Sequence, residues 1–333
     1  MSATDPINLV TIGGGTGLAT LLRGLKSFLN LAEQRIAMTA IVTVTDDGKS
    51  SGRLRGEFSV LPPGDIRSCL VALADEDQLI TQLFRHRYPG DGALGGHSLG
   101  NLIILALNQL SGDFLTAVDQ AREMLGIRAR ILPSTLDRVD LVARVGNRMV
   151  RGQVSIKSQN APIHELALTP PFARALPAAI DAILRADLIT LGPGSLFTSV
   201  IATLLVKEIS HALVESRAKK IYICNAMTEY DETDGYTAVD HVRRVLAYAP
   251  EMRLDYALFN SAPISIEMCE RYAAEKAVAL EPPDGVPADL REMQFVALPL
   301  ASESRFVRHD PERLSRAIFE IYNRSKHRAV RQD

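Results

Sequence analysis

The chain has 333 residues, of which 47% are hydrophobic and 22 are glycine, enough apolar material to bury a large α/β core. Its 37 basic and 39 acidic residues nearly cancel, which excludes an overall electrostatic footprint for nucleic acid or an anionic membrane surface. Three cysteines (Cys69, Cys224, Cys269), odd in number and without CxxC spacing, argue for reduced core thiols and against a zinc site.

The run INLVTI (7–12) ends in glycines, and Leu18, Leu21, Leu22, Leu25 and Leu29 then recur at helical spacing, so the chain opens as strand, turn and helix. A second strand, MTAIVTV (38–44), runs straight into the loop TVTDDGKSSGRLRG (43–56). Helices are expected at about 65–86 and 98–126, the second buried because HSLGNLIILALNQL is apolar nearly all round. RVDLVARVGNRMVRGQVSIK (138–157) reads as two strands about the turn pair Gly146-Asn147, an antiparallel hairpin in an otherwise parallel pattern. Alternation resumes with a strand and helix over 186–206, a strand at 219–227, a helix at about 236–248 and a strand at 254–260. It closes with a helix at 264–274, a strand at 294–300 and a last helix near 311–326. LEPPDGVPADL (280–290) is a surface loop by its Pro/Gly content. The pattern predicts a doubly wound, mainly parallel α/β sheet with helices on both faces and a small antiparallel hairpin insertion. No apolar run approaches the roughly 20 residues that span a bilayer, and the N-terminus has no basic region followed by an apolar one. A cytoplasmic protein without membrane insertion is therefore expected.

Glycine placement carries the first chemical signal. GGGTGL (13–18) joins strand to helix, where Gly13, Gly14, Gly15 and Thr16 would let backbone amides and a helix N-terminus approach a phosphate. It matches neither GxGxxG with its following acid nor GxxxxGK[ST], so neither NAD nor ATP is specified; the bland alternative is a tight turn. TLGPGSLFTSV (190–200) repeats the device with Gly192, Gly194, Ser195 and Thr198. LPPGDIRSCL adds Asp65 as an N-cap and Arg67 as either a ligand contact or a solvated arginine. His97 and Asn101, four apart, would share one helical face and present an imidazole and an amide to one ligand, the alternative being a structural histidine. Asn225, just past a strand, would read a base or sugar, or cap a turn. In the 43–56 loop Arg53 or Arg55 would pair with phosphate oxygens. Asp46 and Asp47 would take hydrogen bonds from base or ribose, hold Mg2+ against a diphosphate, or merely cap a turn with the arginines in solvent. These features sit at strand carboxyl ends, where open parallel sheets bind ligands.

TIGGGTGL, TVTDDGKSSGRLR, LPPGDIR, GHSLGNL, LGPGSLFTSV, ICNAMTE and FVRHDPERL, in this order across almost the whole chain, resemble the gluconeogenesis-factor (YvcK-type) family, within the superfamily of the 2-phospho-L-lactate transferase CofD. The resemblance implies a Rossmann-like core over 1–330 as one large domain, with a hairpin excursion at about 138–160 and a C-terminal part, about 250–330, that completes the ligand site. It implies a cytoplasmic homodimer that binds a UDP-sugar, notably UDP-N-acetylglucosamine, and is needed for cell shape and wall-precursor supply on gluconeogenic carbon sources. The partner would be an enzyme of amino-sugar synthesis, and a regulator needs no cofactor. The alternative is a CofD-like transferase that uses Mg2+ on a phosphorylated small molecule. The Asp pair of that branch falls at Asp46 and Asp47, whereas the continuation GKSSGRLR, with Ser51 and Arg53, favours the regulatory branch. Sugar-nucleotide contacts beyond the glycine loops map to Tyr272 and Arg308. Many members carry threonine after RHD; this chain has Pro311, which offers no hydroxyl for regulation.

Overall fold

The computed structural model describes residues 6–29, 36–159 and 161–329; Asn30, Asn160 and Val330, which fall in or close expected stretches, lie outside them. In chain order the strands are β1 (Ile7–Gly13), β2 (Ile36–Val42), β3 (Arg130–Pro133), β4 (Asp140–Val145), β5 (Arg148–Arg151) and β6 (Ile163–Thr169). They continue with β7 (Leu188–Leu191), β8 (Lys219–Ile223), β9 (Tyr256–Asn260), β10 (Gln294–Leu298), β11 (Ala301–Glu303) and β12 (Val307–His309). A seven-stranded sheet in the order β10-β9-β8-β7-β1-β2-β3 carries the fold, and each of its pairings is parallel. The central strands are buried on both faces, β7 and β9 throughout, which is why they read as unbroken apolar runs rather than alternating ones. From β1 the chain steps outward through β2 and β3, then returns to lay β7 to β10 on the other side, so the winding direction reverses between β1 and β7. In a sheet of this kind that reversal opens a crevice at the strand carboxyl ends.

The helix Gly15–Leu29 packs on one face against the helices Gly64–Leu73 and Pro311–Ala329. Gly24 permits the approach of the C-terminal helix: a Cβ there would run into the Pro311 carbonyl. Among the described residues no single helix is long and apolar enough to cross a membrane.

Four local expectations change. Residues 49–58 of the supposed loop form a helix, Lys49–Phe58, so Ser51, Arg53 and Arg55 are helical and Gly48 is its N-cap. The run at 65–86 is two helices, Gly64–Leu73 and Leu79–Arg85, and Pro63 rather than Asp65 occupies the N-cap of the first. The run at 98–126 also divides, at Gly112, which adopts the left-handed conformation favoured after a helix, and at Asp113, whose carboxylate accepts from the Thr116 amide at 2.7 Å. Its first helix, Leu99–Ser111, buries one face only; Leu110 is 84% exposed. The expected hairpin turns at Gly146-Asn147 and is longer than expected: a short helix, Gln153–Lys157, and β6 extend it into a three-stranded antiparallel sheet. The edge strand β3 had no sequence signal strong enough to single it out.

Candidate functional site

Where the winding reverses, a cleft of about 260 Å³ opens. It is lined by residues 15–17 and Thr20 after β1, 193–195 after β7, 225–229 after β8, Tyr272, and 307–309. The two glycine loops touch. A Cβ on Gly17 would lie 2.5 Å from the Pro193 carbonyl oxygen and 2.7 Å from Gly194 Cα, so only bare backbone fits there. Gly15 (φ +63°) and Gly192 (φ +80°) adopt left-handed backbone, which glycine alone takes at no steric cost.

Of the residues singled out from sequence, Gly15, Thr16, Gly194, Ser195, Asn225, Tyr272 and Arg308 line this cleft. Gly13, Gly14 and Gly192 sit behind the lining: a Cβ on Gly14 would meet Thr43 Cγ2 at 2.6 Å and Asp65 Oδ2 at 2.7 Å. Tyr272, on the helix Ile266–Ala274, accepts the Val307 amide on its hydroxyl at 3.0 Å and thereby ties that helix to β12. Arg308 on β12 lies 5.3 Å from the Phe306 ring, and Arg271 and Arg305 lie 5.6 Å and 5.5 Å from the same ring, a cluster of cations beside the cleft.

The remaining candidates are placed elsewhere. Arg53 donates to the carbonyls of Gly95 and Ala93, and Arg55 to the Val139 carbonyl and to Asp140, so neither guanidinium is turned to the cleft. His97 precedes the helix instead of sharing its face with Asn101; both side chains meet on Ser50 Oγ, at 3.1 Å and 2.9 Å. The Asn101 side-chain oxygen accepts from Arg67 at 2.9 Å, so Arg67 has an internal partner and is not a freely solvated arginine. Asp46 accepts the Gly48 amide, while Asp47 accepts the Val154 amide at 2.9 Å and fastens the insertion to the loop that follows β2. A Cβ on Gly64 would lie 2.5 Å from both Asp46 Oδ2 and Ser51 Oγ, whereas one on Gly152 would lie 2.5 Å from Asp47 Oδ2. The two aspartates therefore face different segments. Among the described residues no three His, Cys, Asp or Glu side chains are grouped to hold a metal ion.

Carboxylates from the chain itself already serve both helix N-termini beside the cleft. Gly15 donates its amide to Asp65, whose pKa is raised to about 7 by burial and by the neighbouring Asp46. Glu232 accepts the amides of Phe197 and Thr198 at 2.7 Å and 2.9 Å, at the start of the helical turn that follows the second glycine loop. Lys157 reaches in from the insertion to within 3.0 Å of Glu232 and donates to Ser195 Oγ at 3.1 Å. Burial opposes the charge on Lys157, but Glu232 and Glu229 outweigh it and raise its pKa; burial likewise opposes the charge on Glu232, which Lys157 and the Thr198 amide hold below the usual carboxylate range. His309 lines the cleft, donates to the Cys224 carbonyl, and is pushed down to about 4 by burial, so its imidazole is neutral. Its Nε2 has no protein partner.

Sequence reading missed Glu229, His309, Lys157 and Glu232. Glu229 and Glu232 follow ICNAM closely enough to have been weighed with Asn225, and His309 adjoins Arg308. Lys157 gave no signal, because only the folded insertion brings it here.

Comparison with known proteins gives a consistent picture. Residues 9–298 match the family model described as 2-phospho-L-lactate transferase CofD. The chain is 40% identical over 322 residues to the gluconeogenesis factor of Halalkalibacterium halodurans, covering 94% of this chain and 96% of that one. It is 40% identical over 320 residues to that of Bacillus subtilis, covering 94% and 97%. A crystal structure of a Bacillus halodurans protein superposes with a TM-score of 0.88 at 38% identity, over 95% of this chain and all of the other.

Proposed function

We propose, on the premise that the chain belongs to the CofD family and stands among its gluconeogenesis factors, that it is a regulatory protein which binds a nucleotide sugar, UDP-N-acetylglucosamine, in the cleft between β1 and β7. The observation that carries this reading is convergence. Gly15, Thr16, Gly194, Ser195, Asn225, Tyr272 and Arg308 come from distant parts of the chain, and all of them line one cleft at the switch point. The close approach of Gly17 to Pro193 and Gly194 joins the two glycine loops into one wall of bare backbone for a diphosphate, and the guanidinium of Arg308 supplies charge for it. Asn225 offers an amide to base or sugar. In this account occupancy of the cleft changes how a cytoplasmic homodimer contacts an enzyme of amino-sugar synthesis, and through it wall-precursor supply and cell shape on gluconeogenic carbon sources.

A magnesium-dependent transferase acting on a phosphorylated small molecule is the second reading, and the description of the matching family model favours it. The divergent directions of Asp46 and Asp47 weigh against a metal held by that pair.

Calorimetric titration with UDP-N-acetylglucosamine, with and without Mg2+, followed by mass spectrometry of the recovered ligand, separates the two. Micromolar binding with intact ligand is the expected result, and consumption of the ligand would favour the transferase. Arg308→Ala is expected to weaken binding by roughly 1.5–3 kcal/mol, the range for a charge-assisted hydrogen bond. Unchanged affinity would remove Arg308 from the site.

A further inference from the structure

The cleft read above as a diphosphate site also carries a carboxylate, Glu229, in its wall. Its Oε2 accepts from Ser195 Oγ at 2.6 Å and its Oε1 from Asn225 Nδ2 at 3.0 Å, while a third of the side chain remains exposed. Glu232, wholly buried, lies against it, and the single ammonium of Lys157 serves both, at 3.0 Å from Glu232 and 3.4 Å from Glu229. One cation between two carboxylates leaves one negative charge too many. Glu232 has the nearer ammonium and two amides, so it keeps its charge, and Glu229 is the member free to become neutral. Burial, and next the charge of Glu232, raise Glu229 to about 7.

The other groups facing this wall do not take over that role. Tyr222 on β8 is fully buried and kept protonated by burial, His309 on β12 is neutral, and Tyr272 is engaged with the Val307 amide. Arg308 on β12 is a fixed cation. Asp65, from the helix Gly64–Leu73, feels the charge of Lys157 from the far side and titrates near the same range, so it is the group to control for.

We propose that Glu229 is a proton-accepting subsite of the cleft: a phosphate-bearing ligand binds together with one proton, and affinity for it falls as pH rises through neutrality. The inference rests on the nucleotide-sugar reading above and adds a regulation to it. A diphosphate brought beside an ionised carboxylate in a partly desolvated cleft is repelled, whereas the neutral acid is not, so the bound state holds more protons than the free one. By linkage, whatever favours the proton favours the ligand to the same degree. The proton comes from solvent and adds to a carboxylate oxygen; no bond in the ligand changes.

The test is calorimetric titration of the full chain with UDP-N-acetylglucosamine between about pH 6 and about pH 8, a range in which a diphosphate diester does not itself titrate, for the wild type, Glu229→Gln and Asp65→Asn. Wild-type affinity is expected to fall by about tenfold across the range, as for a group that titrates near 7 and must be protonated in the bound state, and titrations in two buffers of different ionisation heat should report proton uptake. Glu229→Gln, which cannot ionise and keeps one acceptor oxygen for the donors of Ser195, Asn225 and Lys157, should bind with an affinity that is flat with pH and take up no proton; Asp65→Asn should retain most of the slope. The same slope in Glu229→Gln as in wild type, affinity that rises with pH, or loss of the slope in Asp65→Asn alone would overturn this inference while leaving the nucleotide reading intact. No binding at any pH in any variant would overturn both.

Discussion

Replacing Glu232 by alanine is expected to destabilise the protein by about 3–5 kcal/mol, the loss typical of a buried charge pair broken on one side. The carboxylate is fully buried and is the acceptor for the Phe197 and Thr198 amides, two of the donors that the start of a helix leaves without intrahelical partners. Removing it strands both amides in a buried setting, at about 1–3 kcal/mol each. The ammonium of Lys157 contributes less to the loss, since its side chain is 35% exposed and keeps Glu229 and Ser195 as partners. Glu232→Gln retains an acceptor for the amides and should lose clearly less. Urea unfolding of the three proteins checks this, and a loss under about 1 kcal/mol for the alanine variant would show that the amides find other partners.

Gly17→Ala is expected to act on the ligand as well as on the fold. The new methyl would press on the Pro193 carbonyl oxygen and on Gly194 Cα and N, all backbone, so the two glycine loops must part. Overpacking of this kind costs about 1–3 kcal/mol of stability. A cleft formed by the apposition of these loops should lose at least about tenfold in affinity for UDP-N-acetylglucosamine, since displacing binding groups by even 1 Å is costly. Gly56→Ala is the control: nothing lies within 4 Å of the added atom, and replacing a glycine inside a helix should add roughly 0.5–1 kcal/mol. Wild-type affinity in Gly17→Ala would mean that the loops part without consequence for the site.

The parallel core was legible because its determinants are local. β1, β7 and β9 are short runs buried on both faces, and glycine stands where the backbone must turn left-handed or lie against another loop, as at Gly15, Gly17 and Gly192. The helix Lys49–Phe58 was not legible. Only Ser50, Ser51 and Leu54 are buried on it, two of them polar, so no apolar stripe reveals its period. The same feature misdirected the reading of charge. Arg53 and Arg55 resemble phosphate ligands in a loop, yet from a helix they reach the Gly95, Ala93 and Val139 carbonyls. Strand-end motifs after β1, β7 and β8 converged on the cleft because parallel topology alone puts their carboxyl ends side by side. Lys157 could not be placed, because the antiparallel register that carries it is set by pairings such as Val145 with Ile163, distant from any motif.

The carboxylates beside the cleft also revise how phosphate would be held. A helix N-terminus attracts anions through its unbonded amides, but here Asp65 takes Gly15, and Glu232 takes Phe197 and Thr198. The attraction must then come chiefly from the Arg308 side of the cleft and from bare loop backbone, with the protonation of Glu229 adjusting the balance.

A crystal structure grown with saturating UDP-N-acetylglucosamine decides whether the crevice between β1 and β7 is the nucleotide-sugar site. The account predicts density for the diphosphate against residues 15–17 and 193–195, with Arg308 turned to it and the sugar or base within hydrogen-bond distance of Asn225. A cleft left empty while the ligand sits elsewhere on the protein, for instance between the Asp46 loop and the helix Leu99–Ser111, would contradict it.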